Sequence, residues 1–352
     1  MSRRARRVAR RGPGLLGRLG SLLIIAGVLA AAWVGWAYQG PGPTGGPTNV
    51  ILPKGASVAR IAHTLKGAGV IGSDRVFQLA ARFTGAGRTL KAGEYEFPAG
   101  ASMAQVLEAI RQGRVVRHLI SVPEGFTSEM VLDAVMAEPV LTGDAAAPPE
   151  GSVLPDSYQV QRGQSRAEVI QAMRAAQDAL LARLWAGRAP GLPFTTPQEA
   201  VTLASIVEKE TGLAAERPRI AAVFENRLRA HMRLESDPTI IYGISKGRPL
   251  GRGITMSELM AATPYNTYRI DGLPPTPIAN PGRAALAAVL NPPRSDELFF
   301  VADGTGGHVF ASTLEAHRAN VAKWRAIERA RAGAPPVSGS ARSTLPTRGR
   351  ER

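Results

Sequence analysis

The chain of 352 residues contains no cysteine. Disulfides, thiolate nucleophiles and cysteine-bound metals are therefore excluded as sources of stability or chemistry. Histidine is scarce as well, because its five residues are scattered without a His-Glu-x-x-His motif or any other spacing typical of metal ligands. The sequence thus indicates no metal site and no cofactor.

Acidic residues are also few, at 28 against 43 lysines and arginines, and the net charge is +15. The charge is concentrated at the two ends: residues 1–18 hold seven arginines and residues 329–352 carry +5, which leaves +3 for residues 19–328. Such a mildly charged middle does not indicate a folded basic groove for nucleic acid. We therefore predict no nucleic-acid partner, a basic segment at 1–18 and a disordered basic tail at 329–352.

No charged residue occurs from residue 19 to residue 53, and Gly20–Tyr38 is largely apolar. A helix of these 19 residues spans about 28 Å, close to the roughly 30 Å of a bilayer's hydrocarbon core. We predict a transmembrane helix over 19–38, with residues 1–18 in the cytoplasm because the arginines precede it. The alternative is a cleaved signal peptide, since the run contains Ala-x-Ala. Both interpretations place the bulk of the chain at the cell exterior or in the periplasm.

Three stretches follow a Pro/Gly-rich linker at 39–48 and share one pattern. They are "LPKGASVARIAHTL" (52–65), "FPAGASMAQVLEAI" (97–110) and "VPEGFTSEMVLDAV" (122–135). Each has an apolar residue, Pro-x-Gly, one further residue, Ser or Thr, and then apolar residues at helical spacing. This order predicts a strand, a turn, an N-cap and a helix, with Ser57, Ser102 and Thr127 as the N-caps.

The first two of these stretches resemble LysM-like modules, which bind chains containing N-acetylglucosamine. We therefore predict a small LysM-like α+β subdomain at 49–114, while the third stretch resembles such modules only weakly. The alternative is that these strand-and-helix units fold and pack without binding a glycan.

The pattern of the chain changes after about residue 115, where longer helical periods begin. The sequence predicts helices at 166–186, 197–210 and 214–230, a hairpin within "ELFFVADGTGGHVFAS", and a last helix from about 314 to 331. Together they predict a mixed α+β domain over 115–328.

"LASIVEKETG", residues 203–212, holds two glutamates near the end of an apolar helix. At 100° per residue Glu210 falls within the apolar arc and Glu208 on its border. The polar side of the helix is predicted to carry Thr202, Ser205 and Lys209. Burial would raise the pKa of Glu210, as a general acid at neutral pH requires. The alternative is that both glutamates lie at the exposed end of the helix.

Five motifs carry a resemblance to a known family. They are "LASIVEKET" (203–211), "VFENRL" (223–228), "MRLESDPTIIYG" (232–243), "TPYNTYRIDGLPPTPIANPG" (263–282) and "FFVADGTGGHVF" (299–310). With them the chain resembles the YceG-like endolytic murein transglycosylases of the bacterial inner membrane, over most of residues 50–328. In that family the second glutamate of Glu-Lys-Glu-Thr is catalytic, and here it is Glu210.

The resemblance implies an α+β fold: an N-terminal transmembrane helix, a LysM-like subdomain, and a periplasmic catalytic domain with a lysozyme-like catalytic helix. It implies cleavage of MurNAc–GlcNAc bonds within nascent peptidoglycan strands, 1,6-anhydroMurNAc ends and limited strand length. Peptidoglycan synthases are candidate partners. Two alternatives stay open: a lysozyme-type hydrolase that uses Glu210 with an acid such as Asp237, and a membrane-anchored glycan-binding adaptor without turnover.

Further polar residues are candidates for substrate binding. Tyr265, Asn266 and Tyr268 offer rings to stack on a sugar and an amide to bind its N-acetyl group. Asn226, within a helix, could position the same group. For these residues the alternative is a hydrogen-bonded loop anchor or cap. His308, in the predicted hairpin, is expected to be structural.

Overall fold

The structure is a computed structural model that describes the backbone of residues 15–333 and the side chains of residues 21–331. Most of the predicted basic segment and tail therefore lies outside the described residues. Over the described range the chain has twelve α-helices and three two-stranded sheets, which confirms the predicted α+β class. It divides into two compact units. Unit 1 runs to Leu119 and also includes two short later segments of the chain, 139–142 and 159–165. Unit 2 is the remainder.

The first helix, α1, spans Leu15–Gln39, and its stretch Ser21–Gln39 is long and apolar enough to cross a membrane. This is consistent with the predicted single-pass anchor. The end of α1 belongs to unit 1, because Val34, Ala37 and Tyr38 pack against the core of that unit.

The Pro/Gly segment after α1 is tied to unit 1 by backbone hydrogen bonds. The Gly42 N–H donates to the Gly100 carbonyl at 3.1 Å, and the Gly100 N–H donates to the Thr44 carbonyl at 3.0 Å. A Cβ on Gly42 would lie 2.2 Å from the Ala101 carbonyl oxygen, so only glycine fits there. The predicted linker is therefore docked along this part of its length.

Unit 1 contains an antiparallel strand pair and three short helices around one core. Its elements are β1 (Thr48–Leu52), α2 (Val58–Gly67), α3 (Asp74–Phe83), β2 (Gly93–Phe97) and α4 (Met103–Gln112). β1 pairs with β2, with Thr48 opposite Phe97. The hydroxyls of Ser57 and Ser102 accept hydrogen bonds from the Arg60 and Gln105 N–H groups, which confirms both predicted N-caps. Helix α3 was not predicted.

The third repeated stretch forms the predicted strand and helix but lies elsewhere. β3 (His118–Ser121) pairs with β4 (Ser157–Val160) where the chain passes between the units. Thr127 caps α5 (Ser128–Ala137) as predicted. Because α5 belongs to unit 2, the third copy is not part of the compact module formed by the first two.

Unit 2 is mainly helical. Its remaining elements are α6 (Arg166–Ala186), α7 (Pro197–Glu210), α8 (Arg217–Arg229), α9 (Asp237–Ser245), α10 (Met256–Met260), α11 (Arg283–Leu290), β5 (Phe299–Ala302), β6 (His308–Ala311) and α12 (Leu314–Gly333). The predicted helices and the β5–β6 hairpin are confirmed, whereas α9, α10 and α11 were not predicted.

Helix α7 is the centre of unit 2, since α6, α8, α9 and α11 all contact it. The predicted polar side was wrong: Thr202 and Ser205 are buried, and of the three predicted residues only Lys209 is exposed. The Ser205 hydroxyl donates to the Thr202 carbonyl at 2.7 Å and accepts from the Ile278 N–H at 3.0 Å. Because four helices pack around α7, its Thr202 and Ser205 hydroxyls are buried, and hydrogen bonds to backbone satisfy them.

Candidate active site

Glu210 is the last residue of α7, and its side chain is half-buried. Burial raises the pKa of Glu210 to about 7, and the charge of nearby Asp237 adds to the rise. The hydroxyl of Ser236, which donates a short hydrogen bond to Glu210 Oε1, opposes this rise, as do His308 and Arg227 more weakly. Glu210 can therefore hold a proton near neutral pH and release it at little cost.

Ser236, the partner of this carboxyl, is held in place by buried hydrogen bonds. It is buried, its N–H donates to Thr267 Oγ1 at 2.9 Å, and its carbonyl accepts from Thr239 Oγ1 at 2.6 Å. Ser236 occupies the N-cap position of α9, yet its side chain makes no cap hydrogen bond. The hydroxyl that would normally cap the helix is directed to Glu210 instead.

The loop before Ser236 is fixed by the guanidinium of Arg227. Nη1 of this largely buried arginine donates to the carbonyls of Arg233 and Leu234, both at 3.0 Å. It also pairs with Glu235 Oε2 at 3.1 Å. Glu235 has φ 55°, in the left-handed region that a residue with a Cβ seldom adopts. The arginine thus holds a strained backbone next to the serine, as is common at functional sites.

Asp237 and Tyr268, both named from the sequence, lie close enough to Glu210 to interact with it electrostatically. The Tyr268 hydroxyl donates to Asp237 Oδ1 at 2.8 Å. Burial raises the pKa of Tyr268, and the charges of Asp237 and Glu210 raise it further. The phenol therefore stays protonated and remains a hydrogen-bond donor to the aspartate.

Glu208, two residues earlier on α7, is bound by other groups. Its carboxyl is almost fully buried, pairs with Arg217 at 2.8 Å, and accepts from the Gly282 N–H at 2.9 Å. Burial raises the pKa of Glu208, while Gly282 and Arg217 lower it. Arg217 also pairs with Glu124 at 3.1 Å. Glu208 thus links α7 to the start of α8 and to residue 282, and both of its oxygens are occupied.

His308 is bonded to Glu216, near the end of α7. The His308 N–H and Nδ1 contact the two Glu216 oxygens, each at 2.8 Å, and the Thr211 hydroxyl donates to Glu216 Oε2 at 3.2 Å. Burial acts to raise the pKa of Glu216, but these bonds lower it overall. A Cβ on Gly307 would lie 2.8 Å from Glu216 Oε1, so a glycine lets the hairpin approach.

The two asparagines named from the sequence are held by backbone. Asn266 is fully buried, and its side-chain nitrogen donates to carbonyls at the C-terminal end of α10, two of them at 2.7 and 2.9 Å. The side-chain nitrogen of Asn226 donates to the carbonyls of Ser295 and Glu297 at 2.8 and 3.0 Å. These contacts fit the alternative that both residues anchor loops.

Tyr265 packs against Tyr242, with ring centroids 4.9 Å apart, and its hydroxyl lies 2.8 Å from Thr276 Oγ1. Its side chain is half-buried. The structure therefore brings Tyr268 and Asp237 to Glu210, and places Tyr265 at the proline-rich segment of residue 276.

Four residues of the site were not predicted from the sequence: Ser236, Arg227, Thr267 and Glu216. Ser236 carried one signal, because Ser-Asp-Pro is typical of a helix start. No local signal could show that the hydroxyl would turn to a residue 26 positions earlier. Among the side chains at 21–331, no group of three or more His, Asp or Glu residues is placed to hold a metal ion.

A second glutamic acid with a similar pKa lies on α8. Glu225 is fully buried, and burial raises its pKa to about 7 although Arg229, 2.9 Å away, lowers it. Its Oε1 has no hydrogen-bond partner among the described residues. Glu225 differs from Glu210 in having no exposed surface.

A half-buried glutamic acid that titrates near neutral pH, on the central helix of an α+β unit, is typical of enzymes that use acid–base catalysis. The sequence profile of the YceG-like family matches residues 50–323, and the chain belongs to this family.

Two curated relatives are both named endolytic murein transglycosylase. The protein from Bacillus subtilis (strain 168) is 28% identical over 302 residues, which cover 76% of this chain and 82% of the relative. The protein from Streptococcus pneumoniae serotype 2 (strain D39) is 29% identical over 322 residues, which cover 77% of this chain and 57% of that longer relative. A crystal structure of a YceG-like protein from Listeria monocytogenes is 28% identical, with a TM-score of 0.49; the match covers 78% of this chain and 98% of that one.

Proposed function

We propose that this protein is an endolytic lytic transglycosylase of peptidoglycan, with Glu210 as its catalytic residue. The observation that carries the proposal is the half-buried Glu210 carboxyl with a pKa of about 7. Membership of the YceG-like family and the names of the two relatives support murein as the substrate class.

In this proposal Glu210 first donates its proton to the glycosidic oxygen between N-acetylmuramic acid and N-acetylglucosamine. The bond from this oxygen to C1 of the muramoyl residue breaks. The C6 hydroxyl of the same sugar then attacks C1, and its proton passes to the Glu210 carboxylate. A 1,6-anhydro end forms, and the acid is restored.

One carboxyl suffices because the nucleophile belongs to the substrate. An intramolecular attack has a large effective molarity, so no second carboxylate is required to activate water. The Ser236 hydroxyl stabilises the ionised form of Glu210 and so eases the first proton transfer. Tyr268, next to Asp237, is proposed to contact the sugar from the other side of the site, and Tyr265 to offer a face for stacking.

The finer assignments are part of the same proposal. Asn226 and Asn266 would act on the substrate only through the loops that they hold. Unit 1 would serve as a LysM-like glycan-binding subdomain. The protein would be anchored in the inner membrane by α1, with a cytoplasmic N-terminus and a periplasmic catalytic domain. Cleavage of nascent strands would limit their length, alongside peptidoglycan synthases.

A second candidate function is a lysozyme-type hydrolase. It is favoured by one observation: Asp237 lies near enough to Glu210 for its charge to raise that residue's pKa. Hydrolysis by two carboxyls would leave a reducing end rather than an anhydro end. Against it, Asp237 already accepts the Tyr268 hydroxyl.

The test is to incubate the full-length protein in detergent with isolated glycan strands and to identify the new ends by mass spectrometry. We expect internal cuts with 1,6-anhydroMurNAc ends, and at least about 100-fold slower cutting by Glu210→Gln. Glu225→Gln is the matched control, because it also removes a buried acid with a pKa of about 7. Reducing ends would favour the hydrolase, and strands that bind without being cut would overturn the enzyme in favour of a glycan-binding adaptor.

A further inference from the structure

The surface of unit 1 next to the anchor helix carries exposed apolar side chains. Val34, Gly35 and Tyr38 of α1 line one side of a small cleft, and residues of α3 line the other. On α3, Leu79 and Phe83 are four residues apart and so share a helix face, and Phe83 is 82% exposed. A phenylalanine so exposed makes few contacts with unit 1, and it faces the same cleft as the C-terminal part of α1, the helix that is long enough to span a bilayer.

Arginines border this apolar face. Arg75, Arg82 and Arg88 line a cavity of about 850 Å³ together with Gln78 and Leu79. All three arginines are exposed. The ion pairs found in the described part of unit 1 join other residues: Lys66–Asp74, Arg111–Glu108, and Glu94 with His118 and Arg162. Three guanidinium groups thus share one groove, and none of them has a carboxylate partner among the described side chains.

Such a groove has the chemistry of an anion site, since the planar guanidinium fork matches a phosphate group in a bidentate manner. Leu79 belongs both to this groove and to the apolar cleft, so the basic and apolar surfaces are continuous. A ligand that suits both has a phosphate next to hydrocarbon. The groove is lined by no aromatic ring, which a sugar-stacking surface would need.

The position of the surface indicates the source of that ligand. Trp33 and Trp36, near the end of α1, are 57% and 66% exposed, as expected for aromatic side chains at a membrane interface. Because Gly42 and Thr44 are bonded to Gly100, the chain between α1 and β1 is fixed to unit 1. The groove is therefore held close to the headgroup region of whichever bilayer α1 spans.

We propose that the groove of Arg75, Arg82 and Arg88 binds the headgroups of anionic phospholipids, with Phe83 inserted at the boundary between headgroups and acyl chains. Unit 1 then has a second membrane contact besides α1. The proposal requires that α1 spans a bilayer, and it does not depend on the transglycosylase activity.

The absence of cysteine allows a direct test on the full-length protein. Phe83→Cys, carrying a polarity-sensitive fluorophore, is placed in nanodiscs of phosphatidylcholine alone or mixed with phosphatidylglycerol. We expect the label to report an apolar environment only when phosphatidylglycerol is present. Ile51→Cys is the control, because Ile51 is 50% exposed on β1 and lines neither surface.

The charge requirement is tested in the labelled protein with Arg75, Arg82 and Arg88 all changed to Gln. An arginine near an anionic surface contributes about 1 kcal/mol, or about fivefold, so the loss of three should weaken insertion by about 100-fold. The matched control changes three exposed arginines of unit 1 outside the groove, Arg60, Arg114 and Arg117, to Gln. It should retain insertion, and circular dichroism with the single Arg88→Gln variant separates binding from misfolding.

Three results would overturn the proposal. Equal insertion in phosphatidylcholine alone would leave only an apolar contact. Loss of insertion on adding inorganic phosphate at constant ionic strength would identify a site for free phosphate. No insertion in either nanodisc, with the wild-type arginines present, would show that the surface does not meet lipid.

Discussion

Glu210 and Glu225 lie in two neighbouring regions of unit 2 and share one property, since burial raises the pKa of each to about 7. Their surroundings differ. Glu225 is sealed within α8, with Arg229 as its partner. Glu210 ends α7, keeps part of its surface open, and receives a hydroxyl from a rigid loop. A raised pKa therefore indicates only that a carboxyl is buried. A catalytic site also requires that substrate can reach the carboxyl and that a hydrogen-bond partner adjusts its pKa.

The largest expected effect is a difference in activity between the Gln variants of Glu210 and Glu225. Glu210→Gln should reduce strand cleavage by about 10²- to 10⁴-fold, because a general acid contributes roughly that factor. Glu225→Gln should keep cleavage within about threefold, since its side chain cannot reach a substrate. Initial rates of anhydro-end formation measure both. Equal losses in the two variants would contradict the distinction.

Glu208 extends the comparison to a carboxyl with a structural task. Glu208→Ala removes one of the two carboxylate partners of Arg217, which keeps Glu124, and the acceptor of the Gly282 N–H. Because breaking a buried pair costs about 3 kcal/mol of unfolding free energy, we expect a loss of at most that size. Urea unfolding followed by circular dichroism gives the value. Full stability with lost activity would instead place Glu208 in the chemistry.

The pH dependence of stability should be alike for Glu210 and Glu225. Each folded pKa is raised above the value of about 4.3 for an exposed glutamate, so the folded state holds a proton that the unfolded state has lost. The stability that each of these two protonated carboxyls contributes is therefore lost as pH rises from about 4.3 to 7. Either Gln variant should match the wild type near pH 4 and exceed it at pH 8, by at most about 4 kcal/mol, since one pKa unit corresponds to about 1.4 kcal/mol. Unfolding midpoints at the two pH values check this, and a Gln variant less stable than the wild type at pH 8 would contradict it.

The smallest expected effect concerns the Ser236 hydroxyl, which donates a hydrogen bond to Glu210. Ser236→Ala removes a bond that lowers the pKa of this carboxyl, so its pKa should rise above about 7. The alkaline limb of kcat/KM would move to higher pH, with less than about a tenfold change in the maximum rate. Ser205→Ala removes a buried hydroxyl from α7, the helix that carries Glu210, and should leave the alkaline limb of kcat/KM at the same pH. A limb that stays put in Ser236→Ala would show that this hydroxyl does not tune the acid.

Local patterns predicted much of the fold because they depend on neighbours in sequence. The apolar run of α1, the caps at Ser57 and Ser102, and the capping box of α7 are all of this kind. Helix α3 was missed because no Pro-x-Gly turn precedes it. The burial of Thr202 and Ser205 could not be predicted, because it follows from the four helices that pack around α7.

The candidate active site could likewise be predicted only where its residues belong to local sequence patterns. Periodicity and family resemblance singled out Glu210, and the structure puts Tyr268 and Asp237 beside it. The contacts that give Glu210 its properties are distant in sequence: Ser236, held by Thr267 and by a loop that Arg227 fixes. Asn226 and Asn266 were named for their side-chain chemistry, which cannot show that neighbouring carbonyls already occupy their amides.

The side chain of Ser236 serves the carboxyl of Glu210 and leaves the start of α9 uncapped. The helix N-caps should therefore differ in which residues they tolerate among homologues. At Ser57 or Thr196, where the hydroxyl only caps a helix, Ser, Thr, Asp and Asn are interchangeable at small cost. At Ser236 an acid would add a third carboxylate beside Glu210 and Asp237, and an aliphatic residue would donate nothing. We therefore expect substitutions to accumulate at the ordinary caps across diverging homologues, while this one position keeps a side-chain hydroxyl.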